Sequence, residues 1–158
     1  MIHLFKLWSK IVGAYSHPEF FSMSKILGID YGTVRVGLAL TDSARIIASP
    51  LTTVERKVLW NYLEKLILKE QINDVVVGEA KRLNGESSEI TQLQLEFVTA
   101  LAKRFPQLVI HRENEMFTSK MAAQSMLTSG MKKSDRQIKG NVDMISAAIL
   151  LQSFLDRR

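Results

Sequence analysis

The sequence has no cysteine. That absence excludes disulfides, thiolate zinc sites and cysteine nucleophiles together, and it fits a reducing cytosol. Its histidines, His3, His17 and His111, are too far apart for imidazole metal-ligand spacing and read as structural or surface residues. No serine lies in a nucleophile-elbow context. No apolar run approaches the roughly 18–20 residues that a membrane helix needs. The first 23 residues come nearest to a targeting signal, but Lys6 and Lys10 interrupt their apolar residues and no small-residue cleavage site follows. Internal repeats, low-complexity tracts and a credible linker are all missing. What is left is one domain over residues 23–158, with residues 1–22 read as an N-terminal extension outside the core fold. The other reading of that extension is a short amphipathic helix docking Leu4, Leu7, Trp8 and Ile11. A 158-residue chain is long enough for a real hydrophobic core.

Acidic charge is also in the minority: the formal net charge is +5. Basic surface attracts phosphate backbones through counterion release, so a polyanionic partner fits, although a merely basic soluble protein would look the same. The position of the charge says more. In KKSDRQIK, Lys132, Lys133, Arg136 and Lys139 stand against a single acid, Asp135.

The hydrophobic pattern gives the order of elements. Lys25 to Tyr31 is a short apolar strand ended by Asp-Tyr-Gly. Val34 to Thr41 alternates as a half-buried strand should, and Gly32-Thr33 between the two runs predicts a hairpin with a positive-φ glycine. Residues 46–49 and 51–54 continue as a third antiparallel strand. Helical spacing of Leu59, Leu63, Leu66 and Ile67 follows, then the β-branched run DVVVG of a strand covered on both sides. A helix over 89–104, a strand over 108–111, and helices over 118–129 and 141–156 complete β-β-β-α-β-α-β-α-α. The segment between the last two helices is basic and reads as flexible. Such an order gives an α/β fold, a mixed five-stranded sheet flanked by helices.

Ligand chemistry in such a sheet gathers outside the carboxyl ends of its parallel strands. Asp30 ends the first strand there, Glu79 ends the fourth, Glu113 and Glu115 follow the fifth in HRENE, and Asp143 lies on the first turn of the last helix, sharing a face with Ala147 and Leu150. Taken singly, each has a plain alternative: a turn residue for Asp30, solvated loop acids for Glu113 and Glu115, a dipole-favoured acid for Asp143. Their convergence points elsewhere. Carboxylates without thiolate or paired imidazole suit hard cations such as Mg²⁺ or Mn²⁺. Two such ions about 3.5–4 Å apart activate a water and stabilise the leaving oxygen of a phosphodiester.

Four stretches, ILGIDYGTVRVGLALTD, VVVGEAKRLNGESSE, NEMFTSKMA and KGNVDMISAAILLQSFL, resemble in order the motifs of the YqgF/RuvX family. The resemblance covers about residues 25–156. It implies an RNase H-like fold and a cytoplasmic endonuclease that trims the 5′ end of the 16S rRNA precursor, a homologue of Holliday junction resolvases. Carried over by position, it implies catalytic and metal-binding roles for Asp30, Glu115 and Asp143, with Glu79 the rival second acid and Glu113 a weaker one. Two departures stand out: Asn114 where the family has Asp, and Met116 where it has Arg. The first removes a charge from a cation site and the second a phosphate-holding cation. Thr118 and Ser119 read as helix caps. Arg35, Lys81, Arg82, Lys132, Lys133, Arg136 and Lys139 are the candidate contacts to a nucleic-acid backbone, either RNA or branched DNA, made by a monomer or a homodimer.

Two rivals remain. A sugar-kinase or actin-like ATPase shares this strand order, but it needs a second domain and a second glycine-rich phosphate turn, and the later glycines here are isolated at 78, 85, 130 and 140. The other is a binding module that grips rRNA or a DNA junction without cutting it.

Overall fold

A computed structural model of the chain describes residues 24–80, 89–114, 118–136 and 138–158. The 1–22 extension, Lys81, Arg82, Glu115 and Met116 therefore lie outside the described residues. The strands are β1 (Ile26–Tyr31), β2 (Arg35–Thr41), β3 (Ala48–Glu55), β4 (Asp74–Glu79) and β5 (Val109–Asn114). The helices are α1 (Leu59–Lys69, entered through a 3-10 turn at Arg56–Val58), α2 (Glu89–Arg104), α3 (Thr118–Thr128), α4 (Lys133–Arg136) and α5 (Lys139–Leu155). The sheet runs β3-β2-β1-β4-β5. Its first three strands form an antiparallel meander, and β1-β4-β5 are parallel.

Two cores follow from the period of two along the central strands. Leu27, Ile29, Val75 and Val77 face Leu59, Leu63, Phe97 and Leu101 of α1 and α2. Ile26, Ala39 and Val76 face Ala147, Leu150 and Leu151 of α5. The second core is thin because its residues are small. A Cβ on Gly28 would lie 2.8 Å from Leu151 Cβ, and one on Gly37 would lie 2.0 Å from the Asp143 carbonyl oxygen. The two glycines thus form a trough into which α5 sinks, burying Leu150 and Leu151 for roughly 1.5–3 kcal/mol each.

That seat corrects the half-buried reading of the second strand. Val36 to Thr41 are buried on both faces, because α5 covers the side that alternation left to solvent. The hairpin also differs in its reason. The Gly32 N–H donates to Arg35 O at 3.0 Å. Gly130 is the described glycine at positive φ, so Gly32 is needed for space: its Cβ would sit 2.6 Å from that same oxygen. Pro50, which has no N–H, falls in edge strand β3 beside a register shift at Leu38/Ala39. β5 runs on to Asn114, three residues past the expected end, and α5 starts two residues early, which puts Asp143 on its second turn. The basic segment holds the short helix α4 rather than a plain loop.

Candidate active site

Asp30 lies near the carboxyl end of β1, opposite Gly37 of β2. By alternation its side chain takes the face of Ile26 and Gly28, the face covered by α5. Gly37 is the residue on which the Asp143 peptide rests, so the trough brings Asp143, from the far end of the chain, to the register of Asp30. Two further bonds fix the first turn of α5, just before Asp143. Thr53 Oγ1 donates to Gly140 O at 2.5 Å, and Asn141 Nδ2 donates to Asp135 O at 2.7 Å.

The Asp143 carboxylate accepts a hydrogen bond from Arg35 Nε at 2.8 Å. Arg35, expected to touch a phosphate backbone, is therefore ion-paired across the site. The pair is accessible, with side chains 37% and 28% exposed for Arg35 and Asp143.

The remaining acids divide between the faces. Glu113 is buried, aligned with Gly78 on the α5 side, and held by an ion pair with Arg157. It is not the solvated loop acid that its neighbours in sequence imply, because β5 carries it under the C-terminal end of α5. Glu79 alternates to the α1–α2 side with Val75 and Val77 and pairs with Arg112 Nη2 at 3.4 Å. Asn114 aligns with Glu79 and is exposed. Among the described residues no three His, Asp or Glu side chains are grouped to hold one ion. The third acid of the expected set, Glu115, lies just beyond β5, outside the described residues. Lys132, Lys133 and Lys139 are all exposed. His111 is structural as expected: Nε2 contacts Asp74 Oδ1 at 3.0 Å, and its ring packs against Phe154.

Sequence reasoning passed over Gln94, which is fully buried in α2. Its Oε1 accepts from Ala80 N at 2.8 Å and its Nε2 donates to Tyr31 O at 3.4 Å. One side chain thereby ties the ends of β1 and β4, the two strands that carry Asp30 and Glu79. The signal was present, since Gln94 shares the apolar stripe of Phe97 and Leu101. Tyr31 itself turns to that side and stacks on Phe97. Burial pushes its hydroxyl pKa up, while the Arg56 guanidinium beside it pulls the other way.

Comparison with known proteins agrees with this architecture. A family profile described as "RuvX: Holliday junction resolvase" matches residues 24–157. A protein of Flavobacterium psychrophilum, named "Putative pre-16S rRNA nuclease", is 47% identical over 136 residues, 86% of this chain and 99% of that one. One of the same name from Bacteroides thetaiotaomicron is 43% identical over the same shares. Among solved structures, T. thermophilus RuvC in complex with a Holliday junction substrate matches with a TM-score of 0.53 at 15% identity, covering 85% of this chain and 95% of that one. At that identity the likeness is one of fold, and the fold is RNase H-like.

Proposed function

Because the chain belongs to the RuvX family, we propose that it is a metal-dependent endonuclease that hydrolyses phosphodiester bonds and processes the 5′ end of pre-16S rRNA in the cytoplasm. The observation that supports this reading is the packing of the Asp143 backbone onto Gly37, the strand partner of Asp30. A trough built from two glycines holds the helix turn of one acid against the strand end of the other.

The donor set fits Mg²⁺ or Mn²⁺. Both side chains offer hard oxygen donors, and Asp143 already has a cationic partner in Arg35. Asp30 and Asp143 would hold the cations, with Glu115 as the third acid; Glu79, on the opposite face and paired with Arg112, is the weaker rival. When bound, the metal pair supplies water activation and charge stabilisation at the leaving oxygen. The chain's own contribution is positional. Gln94 and the glycine trough fix the two backbones, and Arg35 orients the Asp143 carboxylate and gives a scissile phosphate a guanidinium to lie against. Lys132, Lys133 and Lys139 extend positive charge along the approach from α4 to α5, with Lys81, Arg82 and Arg136 as further candidates.

Two alternatives stay within the same site. The family description favours branched DNA as substrate. Asn114, a neutral residue in place of a family acid, favours a binding module of weak catalytic power. Cleavage of a labelled pre-16S 5′ leader and of a four-way DNA junction, each with Mn²⁺ or Mg²⁺, separates the three. The parent is expected to cut the leader and Asp30→Asn to fall to background. Equal cutting by both proteins would assign the activity to another site, and binding without cutting would support the module.

A further inference from the structure

Beyond the carboxylates, the carboxyl end of β1 opens onto a second feature, on the opposite face of the sheet. Tyr31 directly follows Asp30 but points towards α1 and α2, where its ring stacks on Phe97 at 4.2 Å with the planes 14° apart. Trp60 closes the group, 5.4 Å from Phe97. A hollow of about 310 Å³ lies against these rings, lined also by Arg56, Glu96 and Ala100. It adjoins a second hollow of about 410 Å³ between Trp60, Lys103 and Arg104. Tyr31 and Trp60 are half-buried, whereas Arg56, Lys103 and Arg104 are exposed. The Arg104 guanidinium lies 5.5 Å from the Trp60 ring and is held by Glu64 at 2.6 Å.

An aromatic floor with a cationic rim is the combination that grips single-stranded nucleic acid: rings stack on bases and guanidinium groups follow the backbone. Glu96 argues against a phosphate inside the hollow, since two negative charges would meet there. A base edge bearing ring N–H or amino donors suits it instead. Asp30 and Tyr31 are consecutive at the sheet edge, about 3.8 Å apart at Cα with side chains on opposite faces, so a strand with its phosphate at Asp30 reaches the hollow by passing over that edge.

We propose that the hollow formed by Tyr31, Arg56, Trp60 and Glu96 takes an unpaired nucleobase of the strand cut at Asp30. This rests on the nuclease reading and sharpens it. A base held in a duplex stack cannot turn over the sheet edge into the hollow. The substrate is therefore single-stranded beside the cut, as in an RNA leader, and not paired throughout, as in the arms of a junction.

The test uses the full chain with Trp8→Phe, which leaves Trp60 as its one tryptophan. This protein is titrated without metal against a short single-stranded RNA, against the same RNA annealed to its complement, and against a version with one abasic nucleotide beside the cut. The single strand should quench Trp60 fluorescence, and the duplex and the abasic strand should bind roughly ten-fold more weakly, the order expected for one lost base stack. Arg56→Ala, at an exposed position, should weaken the single strand by a similar factor and leave the duplex unchanged. Equal quenching by strand and duplex, or indifference to the abasic site, would overturn the proposal. Cutting of the leader without any Trp60 response would sink the base site and spare the nuclease. Strand-specific quenching by a parent that never cuts would do the reverse.

Discussion

The two ends of the parallel strands use the same chemical groups in opposite ways. At the amino end Asp74 opens β4, and its side chain is 14% exposed. It is gripped from two sides, by Arg45 Nη2 and His111 Nε2, both at 3.0 Å. Arg45 also donates to Ser24 O at 2.6 Å, and these bonds hold it in the left-handed conformation, at φ 57, that a non-glycine residue rarely adopts. At the carboxyl end Asp143 is twice as exposed, and its partner Arg35 is more exposed still. An acid enclosed by a guanidinium and an imidazole is committed to holding strands together. An acid at the surface, facing a cation on a flexible stem, is free to exchange that partner for another positive charge. On the proposed reading, the difference separates a structural carboxylate from a functional one more sharply than residue type does.

The largest effect expected from breaking this contrast is at its foundation. Gly37→Ala drives a methyl group into the Asp143 carbonyl, which is backbone and cannot step aside, so a loss of about 3 kcal/mol is expected in chemical denaturation, and cleavage should fall with it. Asp74→Asn leaves Arg45 and His111 without their shared anion. About 2 kcal/mol of stability should go, with the rate per folded molecule unchanged. Asp143→Asn should do the opposite: under about 1 kcal/mol in a thermal melt, as for other exposed pairs, but cleavage reduced to background. If the two Asp→Asn variants melt alike, the distinction between the ends is wrong.

The smallest effect lies back at the amino end. The Lys25 ammonium donates to Glu70 at 2.6 Å and holds that carboxyl below the usual carboxylate range. A lowered folded value means the stabilisation is complete above the ordinary carboxylate pKa and fades as pH falls through the depressed one. Glu70→Gln should therefore cost under about 1 kcal/mol at neutral pH, and the gap to the parent should close in acid.

Much of this was legible in the chain. A lone acid ending an apolar strand, and another on a helix face of small residues, pointed to Asp30 and Asp143 only through their expected convergence at one sheet edge, and the docking of α5 on Gly37 agrees with that placement. Glu113 was not legible. Its burial and its ion pair with Arg157 depend on a segment with no local relation to it in sequence. The reading of Gly32 found the right residue for the wrong reason, since steric space and positive φ leave the same mark in a sequence. Gly37 looked like one of the small residues of an alternating strand, and only the docked helix shows that a helix turn rests on it. The aromatic hollow escaped because Tyr31, Trp60 and Phe97 belong to three separate elements, each with a sufficient role in the core.

The Arg35–Asp143 pair joins residues 108 positions apart. Asp30 and Arg35 share a hairpin whose contacts are local in sequence, while α5 reaches it from far along the chain. On the proposed reading, a chain in which α5 has not yet docked carries a glycine furrow and half of the candidate centre, and cuts nothing. Distance along the polypeptide then acts as a safety catch, released only when α5 seats in its trough.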